Sequence, residues 1–152
     1  MNWFKHPEVF RHIVNIWPPF LGAGIRVTRI SKDWRKITVR LRMHALNRNY
    51  VGTHFGGSLF AMTDPFYMLM LIHLLGKGYR VWDKTATIEF VKPVRGAVSA
   101  DFEISRDRLS KIVARAADGN RLFEPFSVDV KDRAGEVVAR VRKTIYIRKT
   151  SG

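Results

Sequence analysis

The sequence predicts an α+β fold in which a curved antiparallel sheet of about six strands wraps around one long apolar helix. Residues 57–75 leave almost no polar face, and a helix that is apolar all round must be enclosed by protein. The rest of the chain supplies segments in which apolar and polar residues alternate, a pattern typical of strands with one buried face. A sheet that covers the helix is the economical way to bury both.

The N-terminal part of the chain predicts one helix followed by two strands. Between Pro7 and Trp17 apolar residues recur at three- and four-residue spacing, and Pro18-Pro19 should stop this helix. Residues 24–30 and 36–43 are predicted strands, and the second alternates cleanly between apolar and polar side chains. The Asn- and Gly-rich residues 47–57 predict a loop that leads into the long helix.

The C-terminal half predicts the remaining strands and one extra short helix. Alternation indicates four more strands, over residues 85–90, 98–104, 126–130 and 137–147. Apolar residues at helical spacing over 109–116, followed by Gly119, predict the extra helix. No repeat or linker divides the chain, so we expect one domain over residues 1–152.

The composition excludes several classes of function. The 152 residues include no cysteine, and 27 Lys and Arg against 13 Asp and Glu give a net charge of +14. Disulfides, zinc-cysteine sites and cysteine nucleophiles are therefore excluded. The five histidines show no metal-ligand spacing, so we expect no metal and no bound cofactor. The N-terminus lacks a signal-peptide pattern, and Asp64 interrupts the longest apolar segment, so we expect a cytoplasmic protein without a membrane span.

One segment holds most of the polar residues that could perform chemistry. Asn49 is followed by His54-Phe55-Gly56-Gly57 at the predicted start of the long helix, and by Thr63-Asp64-Pro65 about two turns later. A glycine at a helix N-terminus presents a backbone N–H along a favourable dipole, which suits stabilisation of an oxyanion. A carboxylate such as Asp64 suits activation of water or attack on a carbonyl carbon.

This pattern resembles the active-site signature of the phenylacetate-degradation type of hotdog acyl-CoA thioesterases. A bacterial family of thioesterase-like hotdog proteins, defined as a domain of unknown function, is closer still. The residues that carry this resemblance are His54–Leu59, Thr63–Met68, Val81–Lys84, Phe90–Pro93 and Val138–Arg140, so it covers nearly the whole chain. It implies the hotdog fold, hydrolysis of a small-molecule acyl thioester with coenzyme A as part of the substrate, and assembly into homodimers or tetramers.

The resemblance also implies roles for the residues of the motif. Asp64 would activate water or attack the thioester carbon, and the Gly57 amide would bind the oxyanion. Asn49 would hold the lytic water and His54 would orient the carbonyl, although Phe55 separates His54 from the glycines where the better-known thioesterases have none. Seven residues of continuous helix put Gly57 and Asp64 about 10 Å apart. One carbonyl carbon cannot touch both, so the site would combine Gly57 of one subunit with Asp64 of its partner, as in the resembled family.

Six further residues are predicted to contact the substrate: Gly56, Phe55, Phe60, Thr63, Lys84 and Arg95. The aromatic residues would line part of an acyl tunnel. The basic residues, together with Arg80 and Lys92, would attract the phosphates of coenzyme A.

Each of these assignments has a structural alternative. Asp64 could cap a helix that begins at Pro65, or lie solvated at an interface. The pair Gly56-Gly57 could serve only to permit a tight turn between loop and helix. His54 and Asn49 could bind nearby backbone within the loop.

Two other functions remain open at the level of sequence. A protein of this fold could hold an acyl or lipid ligand without turnover. The basic residues at Arg40–Arg42 and Arg140–Lys143 could instead follow a nucleic-acid backbone. Both runs alternate with core residues and could equally form an outward, solvated strand face, and no recognition helix or stacking platform is evident. Nucleic-acid binding is therefore the weakest hypothesis.

Overall fold

The computed structural model describes residues 5–150, and within them the chain forms six strands and five helices. The first four residues, which enter the argument against a signal peptide, lie outside this range. The strands are β1 (Ile25–Ile30), β2 (Lys36–Leu41), β3 (Tyr79–Phe90), β4 (Val98–Glu103), β5 (Leu122–Lys131) and β6 (Val137–Lys149). The helices are α1 (Pro7–Asn15), α2 (Pro18–Ala23), α3 (Gly56–Ala61), α4 (Phe66–Leu75) and α5 (Arg106–Arg115).

All six strands form one antiparallel sheet in the order β1-β2-β4-β5-β6-β3. Strand β3 follows the central helices in sequence and lies at one edge, where it pairs with β6 from Tyr79 to Phe90. Strand β1 forms the other edge. The predicted fold class, a curved antiparallel sheet around apolar helical residues, is confirmed.

The long apolar segment forms two helices instead of one continuous helix. Helix α3 ends at Ala61 and α4 begins at Phe66. Pro65 has no N–H with which to continue a helix, and the residue before a proline is disfavoured in the helical region. The N–H of Asp64 accordingly bonds to the carbonyl of Ala61, three residues back, at 3.2 Å. The sequence therefore predicted the helical segment correctly, whereas the break appeared there only in the alternative in which a new helix begins at Pro65.

Helix α4 covers the middle of the sheet through aromatic contacts. Phe66 and Tyr67 both lie 5.1 Å from Phe102 of β4, measured between ring centroids, and Tyr67 stacks on Phe126 of β5 at 4.4 Å. Residues Gly56–Leu75 are long and apolar enough to cross a membrane by length and composition alone. Of these residues, Leu59, Met62, Phe66, Met70 and Leu71 are buried in the core of the described structure.

The double proline that the sequence predicts as a helix stop also begins a second helix. Helix α1 ends at Asn15, and α2 begins at Pro18 because proline is readily accommodated in the first turn of a helix. Helix α2 ends at Ala23, and its C-cap Gly24 has a φ of 82°, the left-handed conformation that favours glycine. We call the bend at residues 16–21 the α1–α2 elbow.

The two edge strands of the sheet, β1 and β3, differ in length and in what binds their outer side. Strand β1 has six residues and an irregular register between Val27 and Arg29. Asn15 of α1 binds the outer side of β1: its Nδ2 donates to the Val27 carbonyl at 2.9 Å, and its Oδ1 accepts the Val27 N–H at 2.7 Å. Strand β3 runs for 12 residues, and no strand within residues 5–150 pairs with its outer side. The long open edge of the described sheet is therefore that of β3.

Candidate functional site

A groove of about 330 Å³ lies between the α1–α2 elbow and α3. The residues that line it are Trp17, Pro19, Phe20, Gly57, Phe60, Ala61 and Asp64. Its walls are mostly apolar, and Asp64 is the charged side chain among them. The groove therefore brings together the two residues to which the motif assigns the central chemistry, Gly57 and Asp64.

Asp64 lies in the break between α3 and α4, where its side chain is 67% exposed. The N-cap position of α4 is Pro65, and this helix has no side-chain cap. The capping alternative for Asp64 is therefore wrong. A carboxylate that borders an apolar groove and is not used by its own helix is available to a ligand.

The two glycines of the motif begin α3 and are surrounded by aromatic rings. A Cβ atom on Gly57 would come within 2.5 Å of the Phe55 ring, and one on Gly56 within 2.9 Å of the Phe90 ring. The two glycines therefore allow two half-exposed rings to approach the start of α3 closely. The N–H of Gly57 lies in the first turn, where backbone donors have no acceptor within the helix.

The helix break changes the predicted relation between Gly57 and Asp64. The separation of about 10 Å expected for a continuous helix does not apply, because α3 ends at Ala61. The two residues border one groove within a single chain. A contribution of the partner subunit to the site stays a prediction.

A buried cation, Lys143, lies behind Asp64. Its side chain is fully buried, and its ammonium donates a hydrogen bond to the backbone carbonyl of Asp64. The Nζ atom also lies 3.0 Å from Oδ1 of Asp83 and 3.7 Å from Oδ1 of Asp64. The contact with the buried Asp83 oxygen is an ion pair without hydrogen-bond alignment. Lys143, a residue of β6, therefore links the break between α3 and α4 to Asp83 of β3.

Burial and two neighbouring charges shift the pKa of Asp83 in opposite directions. Burial raises the pKa of Asp83, contact with Lys143 lowers it, and the nearby negative charge of Asp64 raises it. The three side chains therefore form one charge cluster, in which a single buried cation faces two carboxylates.

The assignment of Lys143 to an outward basic face is wrong. On β6 the side chains of Val141 and Ile145 are buried, and the residue midway between them shares their face because strands have a period of two. Arg142 points the other way and is exposed. Strict alternation through Val141, Lys143 and Ile145 was the signal that could have identified the buried lysine.

The outward-facing arginines of β6 lie close to carboxylates of the neighbouring strands. Arg140 pairs with Asp129 at 2.7 Å, and Arg142 lies 3.6 Å from Glu89. These pairs interrupt the positive charge along the strand. The run therefore does not form the continuous basic track that a nucleic-acid backbone would require.

Asn49 and His54 hold the loop before α3. The Nδ2 of Asn49 donates to Thr53 Oγ1 and to the His54 carbonyl, and its Oδ1 accepts the N–H groups of Val51 and Thr53. Buried His54 places Nε2 2.6 Å from the Gly96 carbonyl. With the ring proton on Nε2, Nδ1 is an acceptor and cannot donate to a substrate carbonyl. These contacts support the loop alternative for both residues.

Of the remaining predicted substrate contacts, some lie in or beside the groove and the others do not. Phe60 lines the groove and Phe55 is exposed beside Gly57. Thr63 is fully buried and its hydroxyl donates to the Phe60 carbonyl, so its predicted contact with substrate does not fit this placement. Lys84 and Arg95 are both exposed, and neither lines the groove.

The α1–α2 elbow is a part of the groove that sequence reasoning missed. Trp17 and Phe20, whose rings lie 5.1 Å apart, supply one wall together with Pro19. Trp17 is exposed and Phe20 is buried, and their position on either side of a double proline could have suggested an aromatic corner. Within residues 5–150, no cluster of three His, Asp or Glu side chains is placed to hold a metal ion.

Comparison with solved structures identifies the fold. A Pseudomonas aeruginosa protein of unknown function, described as a probable thioesterase, superposes with a TM-score of 0.83 at 19% identity over 95% of this chain and 99% of that one. A thioesterase from Haemophilus influenzae gives 0.69 at 16% identity, covering 100% and 98%. A hypothetical thioesterase from Streptococcus pneumoniae, solved with coenzyme A, gives 0.58 at 18% identity, covering 84% and 88%.

No curated protein sequence matches the chain. A family model does: residues 7–147 match the domain of unknown function DUF4442. That match spans nearly every helix and strand described above, including the groove and the charge cluster behind it. The chain therefore has the hotdog fold and belongs to the DUF4442 family.

Proposed function

We propose that this protein hydrolyses acyl thioesters of coenzyme A in the cytoplasm, with Asp64 as the central catalytic residue. The observation that carries the proposal is the groove that Asp64 and Gly57 share, since thioester hydrolysis needs a base or nucleophile and an oxyanion donor at one place. The apolar walls around them suit an acyl chain. The charge of +14 would attract the phosphates of coenzyme A.

In the proposed reaction Asp64 accepts a proton from water as that water attacks the thioester carbon. The carbonyl oxygen becomes an oxyanion, which the N–H of Gly57 stabilises. Collapse of this intermediate breaks the carbon–sulfur bond, and the proton held by Asp64 passes to the departing thiolate. The products are a free acid and the thiol of coenzyme A. Asn49 and His54 support this reaction by holding the loop that precedes Gly57.

We further propose that the protein acts as a homodimer, alone or within a tetramer, joined through the open edge of β3. Three large apolar side chains are exposed on or just after this strand, at Trp82, Phe90 and Val91. Exposed apolar groups beside an unpaired strand favour coverage by a second copy. In such a dimer the partner subunit would add to a groove that already holds Asp64 and Gly57 of one chain, and the exposure of Asp64 leaves room for that contribution.

The proposal is tested by thiol release from acyl-CoA substrates of increasing chain length. Asp64→Asn should lower kcat by about 10²- to 10⁴-fold, because it removes the base. The variant should keep its fold, since Lys143 binds the backbone carbonyl of this residue. Asp107→Asn is the matched control, because Asp107 is similarly exposed on α5 and does not line the groove. It should leave turnover unchanged.

Two outcomes would contradict the assignment. Turnover by Asp64→Asn within a few fold of wild type would remove Asp64 from the chemistry. Tight binding of acyl-CoA without turnover by the wild type would support the non-catalytic acyl-binding alternative.

A further inference from the structure

A second cavity, of about 480 Å³, borders the α1–α2 elbow through residues that the groove does not use. Ile16 and Leu21 face this cavity, whereas Trp17 and Phe20 face the groove. The two spaces are therefore neighbours separated by one short helix. Their chemistry differs, because the groove is apolar and the second cavity is basic.

Four basic side chains line the second cavity: His12, Arg26, Arg42 and His44. No Asp or Glu is among its lining residues. Neither Arg26 nor Arg42 forms an ion pair with the part of the chain that the structure describes. Unneutralised arginines that converge on a concave surface favour an anionic ligand.

The backbone beneath these side chains is held in place by a buried amide. Asn47 is 7% exposed, and its Nδ2 donates to the carbonyls of Ala23 and Arg42. Its Oδ1 accepts the N–H of His44 at 2.8 Å. The N–H of Arg42 donates in turn to the carbonyl of Gly24 at 3.2 Å. Two of the basic residues are thus fixed to the junction of α2 and β1.

The ring of His44 is oriented as a donor towards the same junction. Its Nδ1 accepts the N–H of Leu46 at 3.2 Å, which places the ring proton on Nε2. The Nε2 atom lies 3.1 Å from where a Cβ of Gly24 would stand, so only a glycine leaves this space open. The φ of 82° at Gly24 independently favours glycine.

We propose that this basic cavity binds the phosphate groups of a coenzyme A thioester whose acyl part lies in the groove on the other side of the elbow. The inference rests on the proposed function. The pantetheine arm has about as many backbone bonds as four amino-acid residues, so it reaches about 14 Å when extended. A helix with its side chains is about 10–12 Å across. The arm can therefore pass over the elbow and join the two spaces.

The test compares two double variants that remove the same charge. Arg26→Ser/Arg42→Ser changes the cavity, and Arg29→Ser/Arg133→Ser removes two exposed arginines that do not line it. Substrates are an acyl-CoA and the N-acetylcysteamine thioester of the same acid, which has no phosphate. Titration with adenosine 3′,5′-bisphosphate and with inorganic phosphate measures binding without catalysis.

The cavity variant should raise KM for acyl-CoA about tenfold or more, because two charge-assisted contacts are lost. It should weaken bisphosphate binding to a similar extent and leave hydrolysis of the short thioester unchanged. The control variant should change each value less than twofold. Equal losses in both variants would indicate general attraction to a basic surface and overturn the site.

The bisphosphate titration separates this inference from the proposed function. Weakened binding in the cavity variant alone would support the site even if the wild type hydrolysed no thioester. Absence of bisphosphate binding by the wild type would overturn the site even if hydrolysis were rapid. Inorganic phosphate that binds as tightly as the bisphosphate would overturn the assignment to coenzyme A.

Discussion

Replacement of Lys143 by methionine should destabilise the fold by about 3 kcal/mol at pH 7. Removing one partner of a buried ion pair costs about 3–5 kcal/mol, because the other charge is left without compensation. Lys143 is fully buried, but the Asp83 side chain is 27% exposed, so water screens part of the cost. We therefore expect a value at the lower end of that range. Methionine keeps much of the apolar stem and avoids a large cavity.

The stability lost in Lys143→Met should depend on pH, and the ionisation of Asp83 decides the direction of that dependence. Burial already raises the folded-state pKa of Asp83 above 3.8, and Lys143 opposes this rise. Without Lys143 the folded-state pKa rises further, while the unfolded-state value does not. The folded variant then binds more protons than its unfolded chain above pH 3.8, so its stability falls as pH increases through that window. The deficit relative to wild type should be smaller at pH 5 than at pH 7.5.

Urea unfolding followed by tryptophan fluorescence measures both effects. Lys131→Met is the matched control, because Lys131 is exposed on β5, and it should change the unfolding free energy by less than about 0.5 kcal/mol. Asp83→Asn combined with Lys143→Met should recover part of the loss, since it removes the uncompensated charge. A loss independent of pH, or a double variant no more stable than the single one, would refute this reasoning.

Three further predictions concern the scaffold. Gly24→Ala should lower the unfolding free energy by about 1–3 kcal/mol in urea titrations, because φ is 82° and the new Cβ would lie 2.8 Å from Asn47 Nδ2; an unchanged midpoint would contradict this. Asn15→Ala should cost about 1–3 kcal/mol by losing both bonds to Val27, and size-exclusion chromatography should show larger assemblies. Burial lowers the pKa of His73, so the unfolded chain binds more protons between that value and 6.5 and wild-type stability falls as pH drops through this window. His73→Phe should lose less thermal stability between pH 7 and pH 5, and an equal loss would count against a neutral, partly buried ring.

The strands were predictable where burial alternates within a few residues. Strand β2 alternates almost perfectly and was predicted within two residues of its observed end. The first half of β3 was missed because its residues are at most partly buried on either face, which weakens the apolar signal. Such a segment is a strand because β6 pairs with it, and pairing between distant residues is not visible in a local pattern.

The site was predictable only in part, for a related reason. Gly57 and Asp64 stand in a compact motif, so their shared location followed from the sequence. Lys143 reaches this place from the last strand, and Trp17 reaches it from the N-terminal elbow. The hydrogen bonds that occupy Asn49 depend on a loop conformation that composition alone does not specify. Long-range contacts therefore decided which motif residues remain available to a ligand.

The unequal edges of the sheet limit how copies of this protein can add to one another. On the β1 edge, Asn15 already binds the N–H and the carbonyl of Val27, so few backbone groups are left for a second molecule. The edge of β3 can accept one antiparallel strand from such a molecule. If two molecules pair through their β3 strands, neither keeps an unpaired β3 edge. The combined sheet then has a β1 strand, bound by Asn15, at each end. Growth then terminates at a closed pair instead of continuing into a fibre.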